Sequence, residues 1–166
     1  MKAPSNPLAA HLSDWLPEID FAVLQHGFAR HGRDYVFVIQ ATMCPKPGTY
    51  ELIFTHVVQL SYETRVRDDV WPRSWDDVFL DYSKWEASGE PPGYVWGSDW
   101  SLAYPGIEAP ENVPEALDWS RRLGKQMHGM SLETDRFHIS MIFHDVYARA
   151  LSDDTSTLSQ VLIPLK

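Results

Sequence analysis

The sequence predicts an α+β fold: a single domain, residues 1–166, in which an antiparallel β-sheet is covered by two helices and an aromatic loop rich in glycine and proline. Two observations lead to this prediction. Runs rich in β-branched and aromatic residues occupy residues 20–66 and 127–163, and two stretches of helical periodicity lie between them in residues 68–124. A chain of 166 residues with 44% hydrophobic residues has the size and composition to bury one core without disulfides.

The first β region is predicted to be an antiparallel meander. Its first two runs, FAVLQHGF and DYVFVIQATM, are separated by ARHGR, in which Gly32 can take the positive φ of a tight turn. The two prolines of CPKPG exclude a central strand at that point, and TYELIFTHVVQLSYETRV follows as a long strand with room for a bulge. Apolar side chains on both faces of these runs indicate a sheet that is covered on both sides for part of its length.

The acidic middle of the chain opens with a predicted helix at residues 74–89. Ser74 is a candidate N-cap with Asp77 at the capping-box position, and Gly89 is a candidate end. Large apolar residues recur at helical spacing and give this helix one apolar face. They are Trp75, Val78, Phe79, Tyr82 and Trp85.

A second helix is predicted in NVPEALDWSRRLGK, with Pro114 in its first turn, two arginines in its last turn and Gly124 at its end. The chain then returns to β structure in HGMSLETDRFHISMIFHDVYARAL, with a tight turn at residues 133–136. LSQVLIPL is predicted as a last strand, which Pro164 places at a sheet edge. In the strand after the tight turn, the apolar residues alternate: Phe137, Ile139, Met141 and Phe143.

The net charge of -9 is concentrated in the middle of the chain. Residues 68–118 hold two basic residues against twelve acidic ones, whereas the flanking parts are close to neutral. A field of this sign disfavours nucleic acids and anionic membranes, and it favours a basic protein partner. An alternative explanation is that the acids keep an aromatic-rich surface soluble.

Targeting and redox features lead us to expect a cytoplasmic protein. The N-terminal segment MKAPSNPLAAHLSD has no continuous apolar stretch of the kind found in signal peptides. No apolar run approaches the roughly 20 residues of a membrane-spanning helix. The single cysteine, Cys44, cannot form an internal disulfide, and there is no cysteine cluster for zinc.

The stretch GEPPGYVWGSDWSLAYPG, residues 89–106, is the candidate binding surface. Its four glycines and three prolines disfavour a long helix or a long strand. Aromatic side chains dominate protein interfaces, and carboxylates pair with basic residues of a partner. The predicted partner-binding residues are Glu90, Tyr94, Trp96, Asp99, Trp100 and Tyr104. The alternative is a lid, in which Trp96 and Trp100 fold onto the apolar face of the first helix.

An enzymatic alternative rests on one weak pattern. Glu90 and Asp99 lie among aromatic residues, as the two carboxylates of a glycosidase do, although any acidic aromatic loop produces this pattern. The chain contains no nucleophile elbow, P-loop or dinucleotide-binding glycine motif. We therefore predict a binding protein without catalytic residues or a cofactor, with a small hydrolase or a ligand-binding accessory domain as the alternatives.

The seven histidines raise the question of a metal site. His138 and His144 fall on the same face of one predicted strand, but six residues of strand separate them by about 20 Å. They cannot hold one ion together, so a site would need His56 or His128 to arrive from a neighbouring strand. We predict no metal site from the sequence.

Five segments carry a resemblance to a known family: HGFARHGRDYVFVIQ, SWDDVFLDYSKWEASGEPPGYVWG, AYPG, WSRRLGKQMH and FHISMIFHDV. They resemble the YxiG-like family of small bacterial proteins over residues 14–150, most specifically in the Gly-Glu-Pro, Tyr-Val-Trp-Gly and Tyr-Pro-Gly run. The resemblance supplies no catalytic residues. Some members resemble the immunity proteins of polymorphic toxin systems in their β-rich plan and in their setting near toxin genes. The resemblance thus implies an immunity-type inhibitor that captures a basic, toxin-like protein.

Overall fold

The structure, a computed structural model, describes residues 21–42, 47–66, 68, 82–87, 89 and 100–151. These residues form eight strands: β1 Phe21–Ala29, β2 Asp34–Ala41, β3 Gly48–Thr55, β4 Gln59–Thr64, β5 Ser101–Glu108, β6 His128–Thr134, β7 Phe137–Phe143 and β8 Asp145–Leu151. They also form two helices, α1 Tyr82–Ala87 and α2 Pro114–Leu123. Neither helix is long and apolar enough to cross a membrane.

The strands form one antiparallel sheet in the order β4-β7-β6-β5-β1-β2-β3-β8. The predicted meander is confirmed, because β2 pairs with β1 on one side and with β3 on the other. Gly32, in the turn between β1 and β2, has a φ of 75°, a left-handed conformation that glycine adopts without strain.

Two bends connect the halves of the sheet. Residues 56–58 join β3 to β4, and His144 joins β7 to β8. The backbone N–H of His144 donates to the carbonyl of Thr55 at 2.9 Å, and that of Val58 donates to Ile142 at 3.0 Å. Because β3 pairs with β8 and β4 with β7, these four strands are one two-stranded ribbon that bends in its middle.

The bend folds the two halves of the sheet around one hydrophobic core. As predicted, β7 buries every second residue from Phe137 to Phe143. Phe54 of β3 meets Phe37 of β2 at a ring distance of 5.7 Å and Phe143 of β7 at 5.0 Å, both edge to face. Phe54 thereby links the half that contains β2 to the half that contains β7.

The opposite face of β2 is covered as well. Val36 and Val38, which alternate with the core residues of this strand, are also buried. This confirms, for β2, the expectation of a sheet covered on both sides.

Helix α2 packs on the outer face of the sheet, the face opposite the core. It begins at Pro114 and ends at Gly124, whose φ of 60° is left-handed, so both predicted termini are confirmed. Its Ala116 packs with Ile142 of β7, and Trp119 Nε1 donates a hydrogen bond to Gln59 Oε1 at 3.2 Å. The helix therefore covers part of β6 and β7.

Gly129→Ala is expected to lower the free energy of unfolding by about 1–3 kcal/mol, because an added Cβ overpacks the contact between α2 and β6. That Cβ would lie 2.6 Å from Val113 Cγ2. Urea denaturation measures the loss. Adding Val113→Ala removes the opposing methyl groups, so the double variant should recover part of it. If the double variant lost as much unfolding free energy as the two single variants together, the added Cβ at position 129 would not be in close contact with Val113.

The prediction of an α+β fold is wrong, because the structure is mostly antiparallel β-sheet. Residues 101–108, expected in the covering loop, form β5 between β1 and β6 in the middle of the sheet. Residues 68–124 are therefore not simply a cover inserted between two β regions. Of the first predicted helix, residues 82–87 are helical and most of the remainder lies outside the described residues, as does the predicted last strand LSQVLIPL.

Candidate functional site

Strand β5 and the residue directly before it present three large apolar side chains on the outer face of the sheet. Ala103 points into the core and is fully buried, so the residues that alternate with it point outwards. Trp100, Leu102 and Tyr104 are 41%, 37% and 68% exposed. We call these three residues the β5 patch. It contains two of the six predicted site residues, Trp100 and Tyr104.

A bulge in β5 explains why Tyr104 is so exposed. Ala103 pairs with Thr134 of β6, but the next paired residue is Gly106, opposite Glu133, so Tyr104 and Pro105 are extra residues on β5. Gly106 has a φ of 98°, a conformation that residues with a side chain rarely adopt. The Tyr-Pro-Gly segment, which was predicted to be a loop, is therefore part of β5 and contains a β-bulge.

The turn between β6 and β7 fixes the patch and places a carboxylate beside it. The backbone N–H of Leu102 donates to Asp135 Oδ1 at 2.9 Å, and the N–H of Asp135 donates to the carbonyl of Leu102 at 3.0 Å. Glu133, two residues earlier in β6, forms an ion pair with Arg65. Sequence reasoning missed Asp135, because this contact joins residues 33 positions apart.

The other predicted site residues, Glu90, Tyr94, Trp96 and Asp99, lie outside the described residues. The paired-carboxylate and lid hypotheses for the loop therefore stay predictions. The structure does place Trp100 directly before β5, where the residue is 41% exposed.

Three of the histidines considered for a metal site come together at the bends. The rings of His56 and His144 meet at 5.8 Å, and His144 Nδ1 donates to the carbonyl of Gln126 at 2.7 Å. Burial lowers the pKa of His128, and the nearby His144 lowers it further. Within the described ranges, no three histidine, cysteine, aspartate or glutamate side chains are arranged to hold a metal ion.

A second aromatic surface, which sequence reasoning missed, closes one end of the core. The ring of His26 lies 4.7 Å from Phe137 and 6.1 Å from Tyr62, and its Nδ1 shares a hydrogen bond of 2.7 Å with the hydroxyl of Tyr35. Phe28 and Tyr62 are each about half exposed there. The pairing of Phe28 with Tyr35 follows from the predicted hairpin, but the contacts from β4 and β7 depend on the bends.

The hydrogen bond between His26 and Tyr35 is uncharged at neutral pH. Burial lowers the pKa of His26, and burial together with Tyr62 raises the pKa of Tyr35 to about 12. Because Tyr35 keeps its proton, this pair stabilises the end of the core rather than supplying a charge to a ligand.

Comparison with known proteins identifies the family of this chain. No curated protein and no solved structure matches the chain. The family model for YxiG-like proteins matches residues 5–160, a range that contains all eight strands and the β5 patch. The chain therefore belongs to the YxiG-like family.

Proposed function

We propose that this member of the YxiG-like family is a cytoplasmic, non-enzymatic binding protein that captures a basic protein partner, in the manner of an immunity-type inhibitor. The observation that carries the proposal is the β5 patch. Single exposed apolar residues are common on protein surfaces, whereas a contiguous group is typical of an interaction site. Aromatic residues are the type most enriched among the residues that dominate binding energy.

The position of the patch on a paired strand favours binding. β5 is hydrogen-bonded to β1 and to β6, and Asp135 fixes Leu102 from the side. A surface that is already ordered loses less conformational entropy when a partner binds. The β5 patch is therefore prepared for a protein partner without a large rearrangement.

Charge favours a basic partner. The patch lies within residues 68–118, which carry two basic and twelve acidic residues. Asp135, which accepts the N–H of Leu102, and Glu108, four residues after Tyr104 in β5, are both exposed. An acidic surface attracts a basic protein and steers its association. An inhibitor of a basic nuclease toxin needs such a field, because it competes with the phosphates of the nucleic acid.

Trp100→Ser and Tyr104→Ser are each expected to weaken partner binding by about tenfold or more, since truncation of a central aromatic residue removes over 1 kcal/mol. Tyr147→Ser is the matched control: Tyr147 is 54% exposed on β8, which lies at the far end of the sheet from β5. Tagged chains capture proteins from a lysate of the source organism, elution follows steps of rising salt, and mass spectrometry identifies the proteins. Calorimetry then gives the affinity of each variant for the recovered protein.

The expected result is one basic protein that elutes at moderate salt, because salt screens exposed charges. The wild type and Tyr147→Ser should retain it, and the two β5 patch variants should lose it while their melting temperatures stay near that of the wild type. Equal retention by all four chains, or an acidic partner that salt does not release, would contradict the proposal.

A further inference from the structure

A cavity of about 270 Å³ lies on the outer face of the sheet, between the start of α2 and strands β4, β7 and β6. Its lining includes apolar residues from the segment before α2 and polar residues from the strands and the helix. Six of the lining residues define its shape and chemistry: Val113, Glu115, Gly129, Ser131, Ser140 and Ile142.

The register of three strands builds the floor of this cavity. Ser131 of β6 lies directly opposite Ser140 of β7, and Ser140 lies opposite Ser61 of β4. Hydroxyl-bearing residues thus form a row across the outer face. Gly129 lies two positions before Ser131, and without a side chain there Val113 approaches β6 and forms one wall.

The chemistry of the lining favours one class of ligand. Val113 and Ile142 provide apolar walls, the serine hydroxyls can accept hydrogen bonds, and the exposed Glu115 adds a negative charge to the lining. No lysine, arginine or histidine is among the described residues that line the cavity. Such a site favours a positively charged donor group on an apolar stem over an anion.

We propose that this cavity binds an alkylammonium group, either the side chain of a lysine in a bound protein or a free aliphatic amine. An ammonium group has three N–H donors, which match the hydroxyls of Ser131 and Ser140 and the carboxylate of Glu115. Its aliphatic stem lies along Val113 and Ile142, as lysine stems do on apolar surfaces. A volume below that of a drug-sized pocket suits a single side chain or a small amine.

The site stands independently of the β5 patch, so it is tested on the isolated chain. Uniformly ¹⁵N-labelled protein is titrated with n-butylammonium, and with 1-butanol and butyrate as probes of similar stem that are neutral or anionic. We expect saturable shifts of the amide signals of Gly129, Ser131 and Ser140 with the ammonium ion. The alcohol and the carboxylate should give at most weak, non-saturating shifts at the same concentrations.

Two variants separate the cavity from the general acidity of the chain. Glu115→Gln is expected to weaken n-butylammonium binding by about tenfold, because a hydrogen bond to a charged acceptor becomes a neutral one. Glu111→Gln removes a nearby exposed carboxylate that does not line this cavity, so the dissociation constant should stay unchanged. Unshifted amide signals away from the cavity show that each variant is folded.

Three outcomes would overturn the proposal: no saturable shift with n-butylammonium, comparable binding of butyrate, or equal weakening by Glu115→Gln and Glu111→Gln. Two further ligands distinguish the sources of the ammonium group. Tighter binding of Nα-acetyl-lysine methylamide assigns the cavity to a protein lysine, and tighter binding of 1,4-diaminobutane assigns it to a free amine. Failure of this site would leave partner capture by the β5 patch unaffected.

Discussion

Phe54→Ala is expected to lower the free energy of unfolding by about 4 kcal/mol, because it leaves a cavity in a fully enclosed part of the core. The Phe54 side chain has no exposed surface, and its ring contacts Phe37 and Phe143 from opposite halves of the sheet. Truncation removes the contacts that join these halves. A loss of this size is a large share of the roughly 5–15 kcal/mol that stabilises an ordinary domain.

Urea denaturation at neutral pH measures this loss, and Phe28→Ala is the matched control. Phe28 is 53% exposed and contacts Tyr35 at the end of the core. Its truncation should reduce the free energy of unfolding by only about 1 kcal/mol, since much of the ring is already in water. Equal losses for the two variants would contradict a single core enclosed by the bent sheet.

Asp34→Ala is expected to reduce the free energy of unfolding by about 3 kcal/mol, since it removes several hydrogen bonds to a charged acceptor. Asp34 is fully buried, and Nε and Nη2 of Arg33 each donate to one of its carboxylate oxygens at 2.9 Å. Its Oδ1 also accepts the backbone N–H of His56 at 3.1 Å, at the bend between β3 and β4. His56 has a φ of 50°, so the bend depends on contacts that hold an uncommon conformation.

The same carboxylate gives the stability of the chain a defined acid dependence. The hydrogen bond from Arg33 holds the pKa of Asp34 below its usual value, even though burial opposes this shift. A folded-state pKa below the unfolded one adds stability that is complete above the unfolded pKa and is lost as the pH falls through the folded pKa. Asp34→Asn removes this contribution.

The difference in unfolding free energy between the wild type and Asp34→Asn should therefore be largest at neutral pH and shrink below about pH 4, where free aspartate takes up its proton. Urea denaturation in steps from pH 7 to pH 2 measures this difference. A difference that stays constant over the whole range would show that the Asp34 charge does not hold the bend.

Local patterns predicted the elements whose features are encoded within a few residues. The alternation in β7, the termini of α2 at Pro114 and Gly124, and the turn at Gly32 all follow from short-range steric and hydrophobic rules. These rules also identified Trp100 and Tyr104 as candidate site residues, and the structure exposes both.

The fold class was wrong because two features depend on contacts between distant residues. The Tyr-Pro-Gly segment at residues 104–106 has the composition of a loop. Ala103 and Gly106, at the two ends of the bulge, both pair with β6 and keep this segment in the sheet. The bend at His56 contains no glycine or proline that would predict it from the sequence. Asp34, which lies on another strand, stabilises this bend through a hydrogen bond. Sequence periodicity describes neither contact, so it predicted a sheet covered by two helices and an aromatic loop instead of a sheet that folds over itself.

Site-specific photo-crosslinking in cells of the source organism shows whether the β5 patch contacts a basic protein. A benzophenone amino acid replaces Tyr104 in one chain and Tyr147, the exposed tyrosine of β8, in another. We expect position 104 to crosslink one basic protein and position 147 not to crosslink it. If position 104 gives no crosslinked protein, or both positions give the same set, the β5 patch is not the binding surface.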